Sequence, residues 1–190
     1  NSVHYLDHLI HRIVTDLNAR GQLDNTLIVV TGDHGEEFFE HGRLGHSMSL
    51  NDYQTRVPFV IRAPKPLDVQ YSVTSHADVA PTVLSALDVS LPLEEMFSGK
   101  NLLTFDPARD AALVLSLLRR GTPIDYAVVM DGFKSLFFNG ENDANIYETL
   151  GSGDEPVTLP PGVLAKAREF ITRQKQYFNP YVENTRAAGD

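Results

Sequence analysis

The stretch Leu27-Ile28-Val29-Val30-Thr31-Gly32-Asp33-His34-Gly35-Glu36-Glu37 decides how this chain is read. Its first four residues are a short, unbroken, largely β-branched apolar run. Such a run suits a strand covered on both faces, as in a parallel sheet flanked by helices. Immediately after it, Gly32 and Gly35 bracket Asp33 and His34, so the backbone can turn sharply and present both side chains. In open α/β sheets ligands gather at the carboxyl ends of strands, and chemistry is expected at this point.

Upstream, Val3, Leu6, Leu9, Ile10, Ile13, Val14 and Leu17 fall at helical spacing, an amphipathic helix over 3–17 that Asn18 to Gly21 should end, with Gly21 as a left-handed cap. Helix, tight loop and apolar strand together make the unit of an α/β fold. Downstream, a polar, glycine-rich stretch runs from Gly32 to Asp52. Val57-Pro58-Phe59-Val60-Ile61 predicts a second strand, with Pro58 near its start where a missing N–H is tolerated. Ala63-Pro64-Lys65-Pro66 reads as a loop, and Ser75 to Leu87 as a helix with Asp78 as N-cap and Pro81 in the first turn.

From about Ser90 the pieces shorten. Ala111 to Arg120 is helix or strand, and its Leu and Val content does not choose between them. Tyr126–Met130 and Lys134–Phe138 flank Asp131-Gly132, a strong hairpin signal, and Asn145–Glu148 offers a third strand. A loop over 151–156 leads to a last helix carrying Val163, Leu164, Ala167, Phe170 and Ile171, and the tail after Asn179-Pro180 is expected to be loose. The organisation is an α/β unit over 1–90 and a smaller antiparallel β-plus-helix unit over 91–190.

Composition narrows the function. Sixteen Lys and Arg against twenty-five Asp and Glu give a net charge of -9, which disfavours nucleic acid as a partner. The absence of cysteine excludes thiol catalysis, Cys-ligated zinc and disulfides. No apolar run approaches the ~20 residues of a membrane span, and the first residues lack the pattern of a signal peptide. The chain opens on a patterned helix without a methionine, and is expected to be a piece of something longer.

A carboxylate beside an imidazole suits a divalent metal, and the imidazole of His34 points towards zinc or manganese rather than calcium. The same loop offers His41, Arg43 and His46, so that three of seven histidines fall within thirteen residues, interleaved with glycines at 32, 35, 42 and 45. Blander readings stand beside these. Asp33-His34-Gly35 can be an Asx-turn. Glu36, Glu37 and Glu40 read as a solvated face at a helix start. Arg43 can pair with a nearby Glu as readily as with an anion. His4, His8 and His11 lie off the apolar stripe and read as solvent-facing, and His76 as local structure.

The segment Leu23 to Glu36 resembles the metal-binding strand and loop of the sulfatase family, within the alkaline-phosphatase-like superfamily that also holds phosphoethanolamine transferases and lipoteichoic acid synthases. Glu40-His41-Gly42 with Gly45-His46 resembles the family's second active-site loop, Tyr53 to Pro64 its following strand, and Ser75-His76-Ala77-Asp78-Val79-Ala80-Pro81-Thr82 its "HVDLAPT" helix start. Ser2 to Asp7 is similar to the helix ahead of the metal strand. Phe133–Leu136, Ile146–Leu150 and Asp154-Glu155-Pro156 look like strands of the C-terminal subdomain.

The resemblance implies an alkaline-phosphatase-like sheet flanked by helices, seen here in its C-terminal part, with a small antiparallel subdomain. Carried over, Asp33 and His34 correspond to ligands of a divalent metal ion (Zn, Mn, Ca or Mg). His46 falls on a catalytic position that contacts the transferred group or a second metal, and His41 and Arg43 fall on the substrate-binding side. The family's nucleophile and first carboxylate ligand lie in the N-terminal half of its domain, which is the implied partner of this chain. The implied activity is metal-assisted cleavage or transfer of a sulfate or phosphate ester through a covalent intermediate, and the fragment alone is expected to be inactive. Among branches, the chain resembles membrane-anchored bacterial proteins of the YejM type, implying a place at the periplasmic face of the inner membrane and an anionic substrate such as a lipid headgroup. The alternative is a non-catalytic periplasmic domain that binds headgroups or a partner and regulates envelope lipid synthesis.

Overall fold

A computed structural model describes residues 2–47, 49–64, 71–104, 111–116, 125–138, 146–151 and 153–187. Helix α1 (Ser2–Ala19) ends as its sequence dictates. Gly21 takes φ 66°, and the N–H groups of Gly21 and Gln22 return to the carbonyls of Asn18 and Leu17. The stripe is only half covered: Leu9, Ile10, Val14 and Leu17 are half-buried, while Val3, Leu6 and Ile13 are exposed.

Strand β1 (Ile28–Thr31) pairs with β4 (Phe59–Arg62), the two strands expected on either side of the glycine-rich stretch. The pairing is antiparallel, Val29 opposite Ile61 and Thr31 opposite Phe59, and the strands are half-buried rather than sealed on both faces. That corrects the parallel arrangement expected from the apolar run, since such a run reports that a strand is covered but not which way its neighbour runs. Arg62 reaches back to the carbonyls of Leu23 and Thr26 and to the Asp24 carboxylate, pinning the short turn of 3₁₀-helix (Leu23–Asn25) that delivers the chain into β1.

Between these strands, the glycine-rich stretch holds a two-residue hairpin, β2 (Glu37–Phe38) against β3 (Leu44–Gly45), and a single helical turn, α2 (Asp52–Thr55). The helix at 75–87 begins differently from expectation. Ser75 is the cap, in a reciprocal capping box with Asp78, and a 3₁₀ turn (His76–Asp78) feeds α3 (Val79–Ala86). Asp78 is buried, its two oxygens accepting from the Ser75 and Lys100 N–H groups. A short α4 (Leu93–Met96) follows.

The second half holds a four-stranded antiparallel meander, β5 (Ala111–Ser116), β6 (Asp125–Met130), β7 (Phe133–Phe138) and β8 (Ile146–Leu150). The undecided segment at 111–116 is therefore strand; Lys65–Pro66, 117–120 and Asn145 lie outside the described residues. Asp131 (φ 51°) and Gly132 (φ 79°) make the left-handed pair that the hairpin turn demands. Strand alternation sorts the core. Tyr126, Val128, Met130 and Phe137 face α5 (Pro161–Ala187) with Ala167, Phe170 and Ile171, while Ala127, Leu136 and Leu150 face the other way and pack on Leu50. Helix α5 continues through Pro180 to Ala187, where the sequence suggested a loose tail; a proline removes one backbone donor but need not end a helix. Among the described residues no helix is long and apolar enough to cross a membrane.

Candidate functional site

Asp33 and His34 leave the end of β1 on the glycine-flanked turn. The Asp33 carboxylate accepts the His34 backbone N–H at 3.0 Å, a bond to the adjacent residue rather than the longer closure of an Asx-turn. This bond, the aspartate's own N–H and the nearby imidazoles of His34 and His46 hold Asp33 below its ordinary pKa against a slight opposing effect of desolvation. Asp33 is thus an exposed, stably anionic carboxylate. His34 Nδ1 donates to the Gly35 carbonyl at 2.9 Å, which leaves Nε2 as the ring nitrogen free of that bond. That Nε2 stands 3.7 Å from Asp33 Oδ2.

His46 is brought back by the β2–β3 hairpin. Its ring lies 4.1 Å from that of His34, tilted by 36°, and its Nδ1 is 3.2 Å from both carboxylate oxygens of Glu36. Asp33, His34, His46 and Glu36 thus form one solvent-accessible cluster at the carboxyl end of β1. His76, read as local structure, takes part as well: its Nε2 donates to the Gly32 carbonyl at 2.6 Å and ties the start of α3 to the turn ahead of Asp33.

His41 belongs to a second, adjoining cluster. Its Nδ1 lies 3.1 Å from Glu37 Oε1, and Tyr53 meets its ring edge-on at 5.4 Å. Glu37 is fully buried. No helix begins at Glu36, and of the expected solvated face Glu40 is exposed and Glu36 half-buried, but Glu37 is a correction: strand alternation turns it inward, where Gln54 and Ser49 donate to its Oε2 and Asn51 adds a further hydrogen bond. Burial pushes this carboxyl up, but the bonds from Gln54, Asn51 and His41 more than offset it, and its pKa falls below the ordinary value. His41 Nδ1 therefore donates to an anionic carboxylate. Glu40 bonds the Phe38 N–H, and Arg43 is exposed on the hairpin loop, its carbonyl accepting from Phe39 at 2.8 Å. His4, His8 and His11 are exposed on α1, as expected.

The single turn of α2 supports both clusters. Asn51 caps it, Gln54 reaches Glu37, and the Gln54 carbonyl accepts the Gly35 N–H at 2.8 Å. A Cβ on Gly35 would stand 1.9 Å from the Tyr53 carbonyl oxygen, so glycine is required by close approach. The sequence reading missed Glu37, Asn51 and Gln54. A hint existed in the Asn51-Asp52 pair ahead of a short polar run, a capping signal.

Residues 1–89 match the family described as Sulfatase. That segment, a little under half of the chain, is similar to sulfatases. The chain is 31% identical over 106 residues to the uncharacterized sulfatase YidJ of Escherichia coli, covering 55% of this chain and 21% of that one. It is 34% identical over 99 residues to arylsulfatase K of Xenopus laevis, covering 51% of this chain and 18% of that one. In three dimensions it superposes on a 2-O GAG sulfatase with a TM-score of 0.59 at 16% identity, over 96% of this chain and 42% of the other. The mixed α/β fold is thus shared with solved sulfatase structures, and the chain spans about a fifth of the length of the two relatives matched by sequence.

Whether the residues present suit a divalent ion can be asked of the geometry. Among the described residues no group of three or more His, Asp or Glu is gathered to hold one. Two groups are of a type that fits: the Asp33 carboxylate and the His34 Nε2, 3.7 Å apart, the ring held at Nδ1 by the Gly35 carbonyl.

Proposed function

We propose that this chain is part of a sulfatase-family protein and supplies one side of an ester-processing pocket, acting on a sulfate or phosphate ester by hydrolysis or transfer. The observation carrying the reading is the convergence of Asp33, His34 and His46 on the turn at the end of β1. Asp33 and His34 would hold a divalent ion, which when bound supplies positive charge to the ester's non-bridging oxygens. His46, oriented by Glu36 at Nδ1, presents Nε2 to the ester, and in its imidazolium form would hold an oxygen or protonate the leaving group. Arg43 on the hairpin loop, and His41 in its imidazolium form with Nδ1 held by Glu37, would donate to an anionic group. The substrate class extends to lipid headgroups, and the location to the extracytoplasmic face of a membrane.

The test is metal content and the hydrolysis of an aryl sulfate and an aryl phosphate by the whole protein and by Asp33→Ala and His34→Ala. Metal and activity should fall together, and retention of both overturns the assignment. Ester binding without turnover in the unaltered protein would replace the enzyme by a headgroup-binding regulator.

A further inference from the structure

Lys134 lies on β7, in the second half of the chain, on the face of the sheet that carries Leu136 and packs on Leu50. Its ammonium group is almost fully buried. It donates to the Asp52 carboxylate, to Thr55 Oγ1 at 3.2 Å and to Asp154 Oδ1 at 3.2 Å. Asp154, also buried, uses its second oxygen to accept the Asp52 backbone N–H at 2.6 Å. It is held at φ 63°, on a turn where its own N–H returns to the Gly151 carbonyl at 3.2 Å. A non-glycine residue in that conformation is strained unless its surroundings hold it there. One ammonium and one carboxylate from the second half of the chain thus grip both ends of α2, whose intervening residues Tyr53 and Gln54 touch His41, Gly35 and Glu37.

We propose that Lys134 is a positioning residue for the candidate site, clamping α2 so that Gln54 and Asn51 hold Glu37, and through it His41, in place. The antiparallel sheet is then a part of the pocket's support rather than an appendage. The significance of this clamp for chemistry rests on the ester-processing reading above; the clamp itself does not. Surface ion pairs do not build such a relay. The Lys166–Asp131 pair at 3.5 Å, well exposed on both sides, serves as the internal contrast.

The experiment is native-state amide hydrogen exchange on the full chain, comparing Lys134→Met, Lys134→Arg, Asp52→Asn and Lys166→Met. Lys134→Met and Asp52→Asn should speed exchange at Gly35, Gln54 and Thr55 by at least tenfold, leaving α1 and the β6–β7 amides near their original rates. Lys134→Arg should restore part of the protection, and Lys166→Met should change none of it. Unchanged exchange at Gly35 and Gln54, or a uniform rise along the whole chain, overturns the clamp. Should Lys134→Met fail to fold, Asp52→Asn carries the same expectation alone. Ester turnover by the unaltered protein is read separately, so its absence defeats the functional reading without touching the exchange result.

Discussion

Glu37 Oε1 stands 3.1 Å from His41 Nδ1, and the carboxylate is sealed from solvent while the imidazole is nearly half open to it. The buried partner is thus the fixed one. Gln54, Ser49 and Asn51 anchor the carboxylate, and the carboxylate anchors the ring.

Glu37→Gln keeps the size and removes the charge. Its amide nitrogen would face groups that now donate to an acceptor, leaving at least one buried donor unmatched, at about 1–3 kcal/mol. Urea unfolding should show this loss. A variant as stable as the parent would mean that the network is not formed in solution.

The same carboxylate shapes the response to acid. A group whose pKa is lowered on folding stabilises above its ordinary value, here 4.5, and loses that contribution as pH falls through the lowered folded value. Stability should therefore decline below about pH 4.5, and Glu37→Gln should flatten the slope there relative to the parent. Thermal melts from pH 6 to pH 3 measure both curves.

Gly35→Ala places a methyl group against the Tyr53 carbonyl, which is backbone and cannot rotate away. The expected cost is about 1–3 kcal/mol, as for overpacking elsewhere. The Gly35–Gln54 hydrogen bond should open as well, visible as a shift of both amide resonances. Unmoved resonances would show that the turn has room the geometry denies.

Phe137 is completely buried and stacks on Tyr126 with ring centres 5.2 Å apart and planes 4° from parallel. Phe137→Ala should cost about 3–5 kcal/mol and free α5 from the sheet. Circular dichroism would follow the loss of helix.

On α1, Leu6 and Ile13 are 57% and 59% exposed, on one stripe with the partly covered Leu9 and Ile10. Apolar surface gathered in this way favours association. The chain should form larger species as its concentration rises, by light scattering, and the paired change Leu6→Glu and Ile13→Glu should return it to a monomer. A parent chain that stays monomeric at every concentration would contradict this.

What could be read without the structure was local. Gly21 as a cap, Asp131-Gly132 as a hairpin turn and Asp33-His34 at a strand end each depend on a few neighbouring residues, and each stands where it was expected. The errors were of another kind. Glu37 was assigned to a wet helical face because three glutamates in five residues suggest one. Its actual surroundings come from Gln54, Ser49 and Asn51, twelve or more positions away.

The amino-acid order by itself determined the Gly21 cap, the Asp131-Gly132 turn and the strand over 28–31, and that a carboxylate and an imidazole stand together at its end, because backbone sterics and short-range hydrogen bonds settle such matters within a few residues. Only the tertiary structure decided that β4 runs against β1, that His76 reaches Gly32 across 44 positions, and that Lys134 meets Asp52 across 82. Those outcomes turn on which distant groups can be desolvated together with their hydrogen bonds satisfied, a condition that no stretch of chain carries alone.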